Sequence, residues 1–178
     1  DVTDANAALL ALLGSPNIGS HRWIYRQYDH QVLNQTVVRP GGDAAVVALP
    51  LDASNGSTTR RGFAVTTDGN GRLVALEPRI GAQIAVAEAA RNIVATGATP
   101  VAVTDCLNFG NPEKPEIGYE LEQSIIGLSE ACEALGTPVV SGNASLYNET
   151  PDGAVLPTPA IGMLGVIDDV ARHLTPAF

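Results

Sequence analysis

The sequence predicts an α+β domain: a mixed, mostly antiparallel sheet with helices packed on one face. Two apolar, β-rich runs, Asp43 to Leu49 and Gly62 to Thr67, flank a turn-rich segment and read as neighbouring antiparallel strands. Further on, two helical stretches each stop at a glycine, Gly97 and Gly136, and each is followed at once by an apolar strand. A last β-like run covers Ala160 to Ile167. The resulting order of strand, strand, helix, strand, helix, strand, strand is that of a mixed sheet with helices on one face.

The elements follow in order. Thr3 and the run Asp4 to Leu13 read as a capped helix with Gly14 as its stop. Residues 15–18 turn the chain, and Ser20 to Tyr28 predicts a short second helix. Between the first two strands, Ala53-Ser54-Asn55-Gly56-Ser57 is the expected turn. Pro78 opens the next helix at the first-turn position that proline favours. That helix is Ala-rich from Ile80 to Val94, with Ile84, Val86, Ala90, Ile93 and Val94 available for burial. The following helix spans about Tyr119 to Leu135. Its Leu121, Ile125, Leu128, Cys132 and Leu135 recur at spacings of four, three, four and three, one apolar stripe. No internal repeat interrupts this order.

A chain of 178 residues suits one domain and can bury a core. Hydrophobic residues make up 45% and aromatics only 4%, so the expected core is Ala, Val, Ile and Leu with backbones close together. The net charge of −9 and the absence of any Lys/Arg run argue against nucleic acid and anionic membrane as partners. An acidic chain can still hold a polyphosphate when divalent metal bridges them. No apolar run approaches a membrane span and no basic-then-apolar leader opens the chain, so a cytoplasmic protein is expected. Asp1 at the start, and Leu174 to Phe178 reading as an entry to something further, suggest a piece of a longer polypeptide. On this division residues 1–178 are a single domain, with 1–30 a helical lead-in and 168–178 a linker toward a following domain. The two cysteines, Cys106 and Cys132, sit in apolar segments and read as free thiols in a reducing compartment.

The chemistry concentrates at two strand ends. Val101-Ala102-Val103-Thr104-Asp105 runs into Cys106-Leu107-Asn108-Phe109-Gly110-Asn111-Pro112-Glu113-Lys114-Pro115. Val139-Val140-Ser141 runs into Gly142-Asn143-Ala144-Ser145-Leu146-Tyr147-Asn148-Glu149. Each reads as a buried strand opening into Asp, Asn and Gly. Hard cations take oxygen ligands, carboxylate first and amide carbonyl next, and Mg²⁺ shares them with phosphate and water. Gly142 would let backbone approach a phosphate. Ser145, two residues after Asn143, lies on the same face if the segment is extended. One such motif alone is better explained by Asp105 capping a turn and Asn143-Ala144-Ser145 forming an Asx or Ser turn. The pair, linked by one helix, points to a common site where Asp105 and Asn143 face one ion and its polyphosphate.

Other candidates are weaker. Lys114 is the only lysine against nine arginines and lies within the first motif, which hints at phosphate contact; Asn108 in the same motif is a further, weaker candidate. A solvated surface lysine is the plain alternative. His30, beside Asp29, reads first as a structural hydrogen-bonding residue, and His21 and His173 as surface residues. Neither cysteine sits in a Gly-x-Cys-x-Gly elbow, so no thiol nucleophile is expected.

On these motifs the chain resembles the phosphoribosylformylglycinamidine synthase (formylglycinamide ribonucleotide amidotransferase) family, in its synthetase component. The two long motifs carry the resemblance. Tyr28 to Val32, Pro40 to Val46, Asp68 to Arg72, Val86 to Asn92 and Pro157 to Gly162 extend it over nearly the whole chain. The shorter segments are shared with aminoimidazole ribonucleotide synthetase, selenophosphate synthetase and thiamine monophosphate kinase.

In that family the synthetase is an internal duplication, and this chain is similar to the first domain of the second half. The resemblance implies Asp105 and Gly142 at nucleotide-binding positions, Asn143 at a magnesium position and Ser145 at a substrate position, with ATP and Mg²⁺ as cofactors. It places no catalytic group here, since the family's catalytic histidines belong to the first half. It implies an ATP-driven conversion of formylglycinamide ribonucleotide to its amidine with ammonia from glutamine. The implied partners are the first half of the same chain, a glutaminase subunit and a small accessory subunit. The sheet is expected to close a barrel with the homologous domain, and the fragment alone to be inactive and to homodimerise. The contrasting reading is a structural nucleotide-binding scaffold without chemistry of its own.

Overall fold

Asp4, rather than Thr3, caps the first helix: its carboxylate accepts hydrogen bonds from the N–H groups of Asn6 and Ala7, each at 3.0 Å. Aspartate here satisfies two of the donors that every helix start leaves over. The geometry comes from a computed structural model that describes residues 3–27, 29–50 and 60–176. The expected turn at Ala53 to Ser57, and Tyr28 at the end of the expected second helix, lie outside the described residues.

Five α-helices and eight strands are described. The helices are α1 (Ala5–Leu13), α2 (Arg22–Tyr25), α3 (Gly71–Leu76), α4 (Pro78–Ala95) and α5 (Pro115–Leu135). The strands are β1 (Thr36–Val38), β2 (Ala45–Ala48), β3 (Gly62–Asp68), β4 (Thr99–Asn108), β5 (Val139–Ser145), β6 (Glu149–Thr150), β7 (Gly153–Ala154) and β8 (Thr158–Ile167). Six of them form one sheet in the order β1-β2-β3-β8-β4-β5, and β6 pairs with β7. Only β4 and β5 run parallel; every other neighbouring pair is antiparallel. The expected mixed, mostly antiparallel sheet is therefore present. The short β1, the six-residue α3 and the β6-β7 pair were not anticipated. Asn70 caps α3 by accepting from Arg72 and Leu73, a signal visible in Asp68-Gly69-Asn70-Gly71 but too local to predict alone.

Burial explains which face is covered. On β8, alternate residues Pro159, Ile161, Met163, Gly165 and Ile167 are buried, as period two demands. They face α4, whose Ala82, Ala85, Ala89 and Ile93 are buried with Val46, Ala64 and Val103 from the sheet. Alanines let this helix lie close on the sheet, so little aromatic mass is needed. Val86, Ala90 and Ile93 are buried as expected, but Val94 is 57% exposed and turns away from the core.

The stripe expected on α5 is only partly right. Leu128 and Cys132 are buried, whereas Ile125 and Leu135 are 44% and 47% exposed. The helix buries Ile117, Ser124 and Gly127 instead. Gly127 passes so close to α4 that a Cβ there would collide with the Arg79 carbonyl. The crossing of two helices selected small residues, and a hydrophobic stripe cannot report that. Arg79 also pairs with Glu130 on α5, with Gln83 donating to the same carboxylate at 2.8 Å. Gly136 ends α5 in the left-handed region at φ 66°, as its type predicts.

A second correction concerns β5. It is not buried: six of its seven residues are exposed, Val140 at 67%. As an edge strand it has a neighbour on one side only.

Candidate functional site

The two motifs meet because β4 and β5 are adjacent and parallel, with α5 as the connection. The register pairs Asp105 with Gly142, Cys106 with Asn143, and Asn108 with Ser145. Side chains of paired residues share a face, and successive residues alternate. Thr104, Cys106 and Asn108 therefore lie on one face together with Ser141, Asn143 and Ser145. Asp105 lies on the other, level with buried Ile161 on β8.

Contacts agree with this division. The Cys106 thiol donates to Asn143 Oδ1 at 3.1 Å, and Ser141 Oγ donates to Thr104 Oγ1 at 2.7 Å. Asn108 is held by its amide, donating to the carbonyls of Cys106 at 2.8 Å and Thr158 at 3.1 Å. Asn143 and Ser145 share a face, as expected from their spacing. The expectation that Asp105 and Asn143 point at one ion is corrected: they are neighbours across the ladder but aim at opposite sides of the sheet. Odd spacing along paired strands decides this, and it needed the register to be seen.

Asp105 instead belongs with Gly142. A Cβ on Gly142 would come within 2.7 Å of Asp105 Oδ2, so the bare glycine leaves the carboxylate uncovered on the edge-strand side. Partial burial raises the Asp105 carboxyl above the ordinary aspartate range, since its charged form lacks full solvation. It also lifts the buried Cys132 thiol, though burial is the larger cause there. A partly desolvated carboxylate, unpaired among the described residues, is suited to accept hydrogen bonds from a ligand's hydroxyl or amino groups.

Beyond the strands the two loops are stitched together. Phe109 N–H donates to the Ser145 carbonyl at 3.1 Å, Tyr147 N–H to Gly110 at 2.9 Å, and Asn148 N–H to Phe109 at 3.1 Å. The Asn148 amide donates to the Ser145 carbonyl at 2.8 Å and to its Oγ at 3.1 Å, setting the hydroxyl's position. Lys114 does not stand free toward a phosphate. Its ammonium donates to both Glu149 oxygens, at 3.0 and 2.8 Å, and Glu149 also accepts from Asn111 N–H at 2.9 Å. The Lys114 hydrogen bond, then that of Asn111, holds the Glu149 carboxyl below its ordinary value. The single lysine is thus a brace between motifs, which its rarity could not reveal. Asn148, Glu149 and Asn111 were within the quoted motifs but not singled out; recurring polar residues at matching loop positions were the only signal.

No group of three His, Cys, Asp or Glu side chains gathers among the described residues. The donors near Asn143 are neutral oxygens, Asn143 Oδ1 foremost, so a hard cation here would take one amide oxygen and draw its remaining ligands from phosphate, water and groups elsewhere. That donor set fits a shared Mg²⁺ and not a self-contained protein cage. Of the histidines, His21 Nε2 lies 2.9 Å from the Pro16 carbonyl and is exposed. His173 is part-buried, with Nδ1 2.7 Å from the Val170 carbonyl, so it is not a plain surface residue. His30 Nδ1 is buried without a partner among the described residues, contrary to the structural hydrogen bond expected of it.

Comparison with known proteins adds a family. Residues 41–167 match the family described as AIR synthase related protein, N-terminal domain. The phosphoribosylformylglycinamidine synthase subunit PurL of Moorella thermoacetica is 52% identical over 170 residues, which is 96% of this chain. The chain spans only 22% of that relative's length. Among solved structures, PurLQS from Thermotoga maritima aligns with a TM-score of 0.76 and 35% identity, over 88% of this chain and 25% of that one. T. maritima PurL complexed with ATP aligns with a TM-score of 0.70 and 35% identity, over 83% and 23% of the respective chains.

Proposed function

The chain belongs to the AIR synthase related protein family, in its N-terminal domain, and on that premise we propose that it forms one wall of the active site of an ATP-dependent carbon–nitrogen ligase. The reaction is that of phosphoribosylformylglycinamidine synthase, in which formylglycinamide ribonucleotide becomes the amidine with ammonia drawn from glutamine. The observation that carries this reading is the register of β4 on β5. It presents an uncovered carboxylate at Asp105–Gly142 on one side and an amide–hydroxyl row, Asn143 and Ser145, on the other.

In this reading Asp105 accepts hydrogen bonds from the nucleotide and Gly142 admits it to the edge strand. Asn143 supplies one oxygen to Mg²⁺, and Ser145, positioned by Asn148, contacts the substrate. Mg²⁺ and ATP, when bound, supply charge neutralisation and activation of the amide oxygen. The residues here contribute orientation and fixed dipoles, which is most of what phosphoryl transfer asks of a protein. No general acid or base is assigned to this chain.

The open face of the sheet supports the rest. Val65, Val140 and Leu164 border a hollow of ≈ 380 Å³ on the side away from the helices, together with Thr104 and Ser141. We infer that a homologous domain of the same polypeptide closes over this face as a barrel, and that the isolated chain is inactive and self-associates through it. Residues 1–178 then form one domain, with 1–30 as lead-in and 168–178 leading onward. A glutaminase subunit and a small accessory subunit complete the assembly, in the cytoplasm.

Turnover of the full-length enzyme carrying Asp105→Ala or Asn143→Ala tests the proposal. Loss of activity with a preserved fold is expected, and wild-type turnover in both would end it. One observation favours the second reading, a nucleotide held for structure: Asp105 faces the helix layer and not the Asn143 side. Labelled ATP that fails to exchange into the purified full-length protein would select that reading.

A further inference from the structure

At the β1 edge of the sheet, opposite the β5 edge that carries Asn143, three arginines gather around one hollow. Arg22 and Arg26 project from α2 and the residue after it, four positions apart and so on one helical face. Arg39 follows β1 directly. The hollow, ≈ 580 Å³, is also lined by Tyr25 and His30, and no Asp or Glu is among its described lining residues. In a chain with 19 acidic residues against 10 basic ones, three guanidinium groups lining one hollow with no carboxylate among its described lining residues stand out from the rest of the surface. None of the ion pairs described, Arg60–Asp169, Arg61–Asp168, Arg79–Glu130 and Lys114–Glu149, involves them.

The walls are shaped and not merely open. Gly41 has φ 114°, where a side chain is disfavoured, and a Cβ there would collide with the Tyr25 hydroxyl. Tyr25 and His30 meet edge to face at 6.3 Å between ring centroids. His30 Nδ1 is buried without a hydrogen-bond partner among the described residues.

The geometry points to a binding site for a phosphate monoester of a small molecule, formed by Arg22, Arg26 and Arg39. Three planar forks exceed what one carboxylate can accept, whereas a phosphate dianion offers three terminal oxygens to bidentate donors. The hollow falls within the usual range for small-ligand sites, about 300–1,000 Å³, leaving room for the body of the ester. Five strand spacings separate β1 from β5, on the order of 24 Å. The site is therefore distinct from the Asp105–Asn143 region and does not depend on the function proposed for it.

The test uses the full-length polypeptide with its nucleotide sites saturated by a non-hydrolysable ATP analogue. Equilibrium dialysis with labelled ribose 5-phosphate should show, in the wild type, one saturable equivalent beyond any held by the substrate site of the proposed reaction. Its affinity should be at least tenfold weaker in Arg22→Gln/Arg26→Gln and should fall with added salt. Unlabelled ribose should not compete. Competition by inorganic phosphate as strong as by the ester would identify free phosphate as the ligand of the same three arginines. Equal binding by wild type and variant, or none by the wild type, overturns the proposal. Because the double variant could misfold, a second measurement uses wild type alone: phenylglyoxal labelling of Arg22, Arg26 and Arg39, mapped by peptide mass. Protection by ribose 5-phosphate is expected. Labelling unaffected by it, or arginines that never react because other parts of the polypeptide cover them, would count against the site.

Discussion

Asp105 Oδ2 lies against the bare backbone of Gly142 on the neighbouring parallel strand, so closely that a Cβ there would approach it to 2.7 Å. A carboxylate and a glycine thus make one unit, in which the missing side chain is what keeps the acid accessible.

Gly142→Ala should therefore do two things. Overpacking against Asp105 should destabilise the protein by about 1–3 kcal/mol, and nucleotide affinity should fall at least tenfold. Denaturant melts and nucleotide titrations of the full-length protein check this. In a double-mutant cycle, Asp105→Ala should restore most of the lost stability and none of the affinity.

Asp105→Asn should separate stability from binding. The folded carboxyl titrates above its unfolded value, so the charged form is disfavoured by folding. That penalty is absent below the unfolded pKa and fully present once pH exceeds the raised folded value. At neutral pH the Asn variant should melt higher than wild type, with the difference vanishing in acid, while nucleotide binding weakens. A lower melting temperature at pH 7 would show that the carboxylate is paired in the fold after all.

Lys114 and Glu149 give the opposite sign. The Glu149 carboxyl is held below its ordinary value, so its contribution is present above the unfolded pKa and is lost as pH falls through the depressed folded one. Lys114→Met should remove that contribution at every pH above the unfolded value, lowering stability at neutral pH and moving the acid-unfolding limb to higher pH. Circular dichroism during acid titration reads this directly.

Ser145→Ala removes a hydroxyl that Asn148 positions. One neutral hydrogen bond is worth about 0.5–1.5 kcal/mol, so KM for the ribonucleotide should rise roughly two- to tenfold with kcat little changed. A collapse of kcat with unchanged KM would assign the hydroxyl to the reacting centre instead.

Gly127→Ala tests the helix crossing far from any ligand. With the Arg79 carbonyl where a Cβ would stand, α4 and α5 must separate, at a cost of about 1–3 kcal/mol. Melting temperature should drop and nucleotide affinity should hold.

The elements themselves were legible. Proline at Pro78, glycine after Leu135, and apolar runs at Val101 and Ala160 are local signals with local causes, whereas α5 begins at Pro115, ahead of the expected Tyr119. The short pieces were not: β1 is three residues long and depends on its pairing with β2, which the propensity of three residues does not report. Burial was read well where a face is simple, as for Val86 and Ile93, and poorly at the α4–α5 crossing, where contact favoured Ser124 and Gly127 over Ile125. The motifs at the strand ends could be identified, but Lys114 as brace and Cys106 as neighbour of Asn143 could not.

Sequence alone determined which residue types stand at the two strand ends, because turn chemistry, helix stops and strand periodicity act over a few positions. Tertiary structure alone decided that β5 is an edge, that Gly142 uncovers Asp105, and that Asn143 turns to the other face. A shift of one residue in register would exchange those faces, and register is set by the whole ladder and the helix layer behind it.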